Sequence, residues 1–231
     1  MKKKILIIVL IIIIIAIGVV GYNVYKDMKQ EENLKTELAE LEQLANAETI
    51  DLNAINERLD RVVTTDDYAV VEEAFKSYLR ENFENSIKIA NILNDERITT
   101  LLTAQNYKED GKDFTQSKNY ITTTKAELED CKTKYTEFFT EEKAMSYINN
   151  KGLDSYYTDL YKNEFVGDIE GEETVDTVEN SINEVISILD TSEKILNLLS
   201  ENQNSWEIQG ENISFNNESL SNQYDSLINS L

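Results

Sequence analysis

The sequence predicts an all-α protein: an N-terminal transmembrane helix followed by an antiparallel helical bundle, with a small β-hairpin near the C-terminus. Three observations predict this fold. Proline is absent and glycine occurs only 7 times among 231 residues, so little interrupts long helices. Residues 5–20 carry no polar side chain. Three long segments further on repeat apolar residues at intervals of three and four, which is the spacing of one helix face.

The apolar run near the N-terminus predicts a membrane anchor over residues 5–25. As a helix this segment would measure about 31 Å, the thickness of a hydrocarbon core. Three lysines at positions 2–4 predict that residues 1–4 are cytoplasmic and that the rest of the chain lies outside. A cleaved signal peptide is the alternative, with a small-x-small site at Ala16 and Gly18. The run is longer than a signal core and that site lies inside it, so we expect a single-pass cell membrane protein held in the lipid bilayer.

Residues 26–47 predict a helical stalk that leaves the membrane. Its apolar residues form a narrow stripe of the coiled-coil type, in which Glu31 fills one gap. The stripe consists of Met28, Leu34, Leu38 and Leu41. A stripe this narrow suits a two-helix seam better than the core side of a globular bundle, which predicts self-association or contact with a partner protein. The alternative is that the stalk folds back and covers one edge of the bundle.

Residues 48–231 predict an extracytoplasmic helical bundle that opens with two marked helix starts. Asp51 is a suitable N-cap for a short helix, and Thr64-Thr65-Asp66-Asp67 combines capping hydroxyls with acids that favour a helix N-terminus. The long helix that follows ends near residue 93. Its predicted inward face is Tyr68, Val71, Phe75, Tyr78, Leu79, Phe83, Ile87 and Ala90. A shorter helix over 95–107 and a turn over 108–113 come next.

Two further long helices are predicted, over about 114–138 and about 172–199. Their apolar faces are Phe114, Ile121, Leu128, Cys131, Tyr135 and Phe138, then Val175, Val178, Ile182, Val185, Leu189, Ser192, Leu196 and Leu199. Between them, Thr140 caps a segment that ends near Gly152. An aromatic segment over 153–165 and an acidic loop over 167–171 follow.

The last thirty residues change pattern. Residues 206–208 and 213–215 alternate apolar and polar side chains around a Gly-containing turn, which predicts a hairpin. Asn216 or Asn217 then caps a final helix. Cys131 is the only cysteine, and its helical spacing favours a buried thiol over an intermolecular disulfide.

Two groups of side chains are candidate sites. Aromatic rings suit a groove for a sugar or peptide, although the same spacing of four also serves core packing; they are Tyr156, Tyr157, Tyr161 and Phe165. Acids at positions 1, 3, 5 and 12 of a calcium-loop register form the second group: Asp168, Glu170, Glu172 and Glu179. The glycine that this loop needs at its sixth position is Glu173 instead, so a solvated acidic loop is the simpler interpretation.

Composition narrows the function. With 44 acids against 22 basic residues the net charge is −22, which disfavours nucleic acid and anionic headgroups. Histidine is absent, so no Ser-His or Cys-His dyad and no imidazole ligand can form. We expect no enzymatic activity and no cofactor. A membrane-anchored structural or protein-interaction module is the favoured class, and the alternative is a receptor for a small molecule, peptide or wall glycan that works with a separate partner.

Overall fold

The computed structural model describes residues 28–45, 51–166 and 172–231. The described chain is mostly helical and carries a small two-stranded antiparallel sheet near the C-terminus. The predicted helical class and the predicted hairpin are therefore confirmed. The predicted anchor over 5–25 and the basic N-terminus over 1–4 lie outside the described residues, and no helix among the described ones is long and apolar enough to cross a membrane.

The long helices follow the sequence pattern closely, whereas the helix predicted over 95–107 is divided into two short helices, the second of which extends into the predicted turn. The helices are α1 (Met28–Ala45), α2 (Leu52–Asp60), α3 (Asp66–Leu93), α4 (Glu96–Thr100), α5 (Ala104–Asp110), α6 (Thr115–Phe138), α7 (Glu141–Ser146), α8 (Ser155–Tyr161), α9 (Glu172–Glu201) and α10 (Glu218–Ile228). One π-helical turn, Lys162–Val166, extends α8. Strands β1 (Trp206–Gln209) and β2 (Asn212–Phe215) pair in the register Trp206↔Phe215, around a turn in which Gly210 has a φ of 68°.

Three predicted caps are present, each accepting from backbone N–H groups in the first turn of its helix. Asp51 caps α2, Thr140 caps α7 and Asn217 caps α10. The helix that Thr140 begins is shorter than predicted, since α7 ends at Ser146 and a turn follows.

The start of α3 differs from the prediction because a buried carboxylate competes for the capping groups. Both the hydroxyl and the backbone N–H of Thr64 donate to Oε2 of Glu72, at 2.6 and 2.9 Å. The hydroxyl of Thr65 accepts from Nε2 of Gln30 at 2.8 Å. Asp66 opens the helix with a φ of 55°, in the left-handed region that non-glycine residues seldom adopt.

The described chain forms two compact units, and each of three long helices contributes residues to both. The first unit takes residues 28–90 and 131–178, and the second is Asn91–Asp130 with Glu179–Leu231. In the first unit the core includes Leu41, Ile55 and Phe75, all fully buried. Tyr78 stacks on Phe138 with ring centroids 4.0 Å apart, and its hydroxyl donates to the Phe138 carbonyl at 3.0 Å.

The second unit has an aromatic centre around Trp206. Phe114 stacks on this indole with centroids 5.9 Å apart, and the indole N–H donates to the Leu199 carbonyl at 2.8 Å. The ammonium of Lys112 lies 4.7 Å from the indole ring centroid, a cation–π distance. The hairpin is thereby held against the end of α9 and the start of α6.

Both predicted apolar faces of α6 and α9 are buried almost throughout. Cys131 is fully buried in the first unit, where its backbone carbonyl accepts from Nδ2 of Asn85 at 3.0 Å. One turn earlier on α3, Asn82 is 1% exposed, and neither its Nδ2 nor its Oδ1 has a hydrogen-bond partner among the described residues. Leaving a buried amide unpaired costs free energy of folding.

Asn82→Leu is therefore expected to raise the free energy of unfolding, by about 1–2 kcal/mol, because it removes the desolvation cost of an unpaired amide. Asn85→Leu is the matched control on the same helix: it breaks the bond to Cys131 and should lower stability by about 1 kcal/mol. Denaturant unfolding of the full chain in detergent, followed by circular dichroism, measures both. Equal destabilisation by the two substitutions would contradict this assignment of Asn82.

Candidate functional site

A group of tyrosines lies on the surface of the first unit, where α8 meets α1 and the start of α3. We define the tyrosine surface as Tyr68, Tyr156 and Tyr157 together with Glu31. The ring of Tyr157 stands edge-to-face to those of Tyr68 and Tyr156, with centroids 5.2 Å apart in both pairs. The two outer rings therefore take their orientation from the central one.

Glu31 ties the two outer tyrosines together. The hydroxyl of Tyr156 donates to Oε1 of Glu31 at 2.8 Å, and that of Tyr68 donates to the same atom at 3.3 Å. Glu31 is only 4% exposed, whereas Tyr156 is 48% exposed. A buried carboxylate thus fixes the hydroxyl of an aromatic residue that is nearly half exposed to solvent.

Electrostatics raises the pKa of two of these tyrosines. The hydrogen bonds with Tyr68 and with Glu31 raise the pKa of Tyr156. Partial desolvation and the nearby carboxylates of Asp67, Asp154 and Asp66 raise the pKa of Tyr157. Both shifts favour the neutral, hydrogen-bond-donating form of these two side chains, which lie beside several acidic residues.

The described members of the aromatic group predicted as a binding site are divided between the core and the surface. Tyr161 is fully buried, and its hydroxyl donates to the Ala144 carbonyl at 2.9 Å, which is core packing. Tyr156 and Tyr157 lie on the surface, and the side chain of Phe165 is outside the described part. The helical spacing of the sequence predicts Tyr68 on a core face. It predicts Glu31 at a position of the stalk's apolar stripe where an apolar residue is missing. The acid at this position of an otherwise apolar stripe is the feature of the sequence that indicates contact with polar groups.

A second polar cluster, the buried ion network, holds α1 against α3. The ammonium of Lys76 contacts Oε1 of Glu37 at 3.0 Å and Oε1 of Glu72 at 2.7 Å. It also donates to the carbonyls of Arg58 and Arg61, at 2.8 and 2.7 Å. Lys76, Glu37 and Glu72 are each at most 3% exposed.

Two arginines complete this network, Arg58 in the last turn of α2 and Arg61 directly after that helix. Nε of Arg61 donates to Oε1 of Glu37 at 3.0 Å, and Nη1 of Arg58 lies 3.1 Å from its Oε2; both guanidinium groups also pair with Glu40. Burial opposes ionisation of Glu37, but the hydrogen bonds from Arg61 and Lys76 outweigh it and hold the pKa of Glu37 below its ordinary value. The network therefore brings together three basic and three acidic side chains.

The predicted interaction stripe on α1 faces this unit. Leu34 is 4% exposed and Leu41 is fully buried, and both belong to the core of the first unit, with Leu38 packed against it. The side chain of Met28 is outside the described part. The sequence left open whether this helix contacts another protein or folds back on its own chain. In the structure, α1 packs against the first unit of its own chain.

The predicted acidic set falls mostly outside the described residues. Asp168 and Glu170 are not described, nor is the side chain of Glu172, whereas Glu179 lies on α9. Within 28–45, 51–166 and 172–231, no three acids or cysteines are grouped so as to hold a metal ion.

The second unit carries a surface groove beside the hairpin turn. Its volume is about 780 Å³, and its lining includes Thr100, Thr103, Gln105, Asn106, Lys108 and Gly210. Nδ2 of Asn106 donates to the Leu101 carbonyl at 2.8 Å and to the Ser117 hydroxyl at 2.9 Å, which fixes one wall. The ammonium of Lys108 donates to the Gly210 carbonyl at 3.1 Å.

Comparison with known proteins finds no family model, no curated protein and no solved structure that matches this chain.

Lys76→Met is expected to lower the free energy of unfolding by about 3–5 kcal/mol, because it leaves Glu37 and Glu72 buried without their shared cation. Arg80→Met is the matched control one turn later on α3. Arg80 pairs with the exposed Asp60 at 2.6 Å, and an exposed pair contributes about 0–1 kcal/mol. Denaturant unfolding of both variants measures the difference; a similar small loss in each would show that the network does not hold the domain together.

Proposed function

We propose that this chain is a membrane-anchored protein with a single N-terminal transmembrane helix and an antiparallel helical bundle outside the cytoplasm. In this proposal the bundle acts as a structural or protein-interaction module and catalyses no reaction. The observation that carries the proposal is the uninterrupted apolar run over residues 5–20 directly behind three lysines.

The way α1 is attached supports this assignment. Because α1 begins at Met28, only residues 26–27 separate it from the proposed anchor over 5–25. The buried ion network and the leucines of α1 fix that helix to the first unit, so the unit would be carried next to the membrane. The net charge of −22 keeps such a domain soluble and off anionic headgroups, leaving its surface available to proteins.

Topology is the first test. Protease added to cells whose wall has been removed should digest the domain and leave a short membrane-embedded fragment, because the domain would lie outside. A cytoplasmic protein produced in the same cells serves as the control for intact membranes. Protection of the domain until the membrane is permeabilised would overturn the proposal, and release of the whole domain into the medium would identify the apolar run as a cleaved signal peptide.

The groove beside the hairpin favours a second candidate, a receptor for a small molecule, peptide or wall glycan. Its volume of about 780 Å³ lies within the usual range of ligand sites, and its lining offers hydroxyl, amide and ammonium groups. The docked position of the hairpin keeps the two sides of the groove in place.

Ala104→Trp tests the receptor candidate, because Ala104 lines the groove and an indole there would obstruct part of it. Soluble wall-glycan fragments and short peptides are each added to the full chain in detergent, and the thermal midpoint is measured. A ligand of the groove should raise the midpoint of the unsubstituted chain and have no effect on Ala104→Trp. An equal rise in both would place binding elsewhere, and no rise with either probe class would remove this candidate.

A further inference from the structure

The tyrosine surface combines rigidity with exposure, which is the usual character of an aromatic anchor in a protein interface. Tyr156 leaves nearly half of its surface in solvent. Its ring is nevertheless held by the edge-to-face contact with Tyr157 and by the hydrogen bond to Glu31. A ring that is already ordered loses little conformational entropy when a partner covers it.

The charges around this ring select the partner's chemistry. Glu31 accepts a hydrogen bond from the hydroxyl of Tyr156. The carboxylates of Asp66, Asp67 and Asp154 are near enough to the neighbouring Tyr157 to raise its pKa. The face of a tyrosine ring carries the negative part of its quadrupole, which attracts ammonium and guanidinium groups. Carboxylates beside such a face strengthen that attraction, and a guanidinium can both stack on the ring and pair with an acid.

The position of Glu31 in the chain limits where the partner can lie. It lies six positions after position 25, the end of the proposed anchor, and six steps of chain reach at most about 21 Å in any conformation. On the proposed function, the tyrosine surface therefore lies within that distance of the outer face of the membrane. Anionic lipid headgroups and a second copy of this acidic chain are both repelled by the same carboxylates.

We propose that the tyrosine surface binds an arginine or lysine side chain that a different membrane protein presents just outside the bilayer. Tyr156 supplies the ring face, and the surrounding carboxylates supply the counter-charge. Basic residues are depleted from the outer flanks of membrane helices, so a partner with a basic outer segment is an uncommon one. This inference rests on the proposed function for the partner's location, but the chemistry of the surface does not depend on it.

A peptide assay tests the chemistry alone. The probe is a labelled, acetylated peptide that alternates glycine and arginine, and its control is the same peptide with citrulline, a neutral isostere of arginine. Binding to the full chain in neutral detergent is followed by fluorescence anisotropy. We expect the arginine peptide to bind, the citrulline peptide to bind far more weakly, and high salt to weaken binding.

Two substitutions assign that binding to the tyrosine surface. Tyr156→Ala should weaken binding of the arginine peptide roughly 3- to 30-fold, the effect of losing one cation–π contact. Leu52→Ala is the matched control, since Leu52 is 41% exposed in the same unit but lies outside the tyrosine surface. The thermal midpoint of each variant shows whether the fold is kept. Equal binding of the citrulline peptide, or unchanged binding by Tyr156→Ala, would overturn the proposal.

A cross-linking experiment in intact membranes identifies the partner. Ser155→benzoylphenylalanine places a photoreactive group next to Tyr156, and Leu52→benzoylphenylalanine is the control. The expected product at position 155 alone is a membrane protein with a basic outer segment; cross-linking only to lipid or to a second copy would refute the assigned partner. Because the protease test reads topology and the peptide test reads surface chemistry, failure of one is distinguishable from failure of the other.

Discussion

The structure of the first unit depends on one buried ammonium group, that of Lys76. It joins Glu37 of α1 to Glu72 of α3, and all three side chains are nearly inaccessible to solvent. Taking these charges out of water is expensive, and only a full set of partners offsets the cost. The ammonium of Lys76 pairs with two carboxylates and donates to two backbone carbonyls. In addition to this ion pair, the carboxylate of Glu72 accepts hydrogen bonds from backbone N–H groups and from a hydroxyl. The network therefore specifies one arrangement of α1, the chain between α2 and α3, and α3 itself.

Several local features follow from this constraint. Glu72 takes both the hydroxyl and the backbone N–H of Thr64, so α3 starts without the hydroxyl cap that its sequence offers. The adjoining Thr65 hydroxyl bonds to Gln30, which fixes the first turn of α1 beside the start of α3. Glu31 follows directly and meets the hydroxyls of Tyr68 and Tyr156. The tyrosine surface is thus assembled by the same docking of α1 that the ion network holds.

The docking of α1 bears on how far from the bilayer the proposed anchor would hold the first unit. If the proposed anchor spans the bilayer, a helix fixed to the first unit from its first turns would keep the tyrosine surface close to the membrane, whereas a free stalk would allow many distances. Surface charge then limits what can approach, because Glu31 and the aspartates near Tyr157 repel anionic lipid and copies of the chain itself. A rigid ring, an acidic surround and a short connection to the anchor together favour a basic partner within the same membrane.

The sequence by itself determined the helical class, the bounds of the long helices, the hairpin and most of the buried apolar residues on their faces. These depend on local periodicity and on caps, which are properties of neighbours in the chain. The tertiary structure decided what α1 packs against, which aromatic residues are exposed, and where the buried charges pair. Tyr156 and Tyr161 share one short helix, yet one is open and the other fully buried. Glu37 and Lys76 are 39 positions apart. No periodicity encodes such pairings, because a buried charge is stable only where distant segments bring all of its partners together.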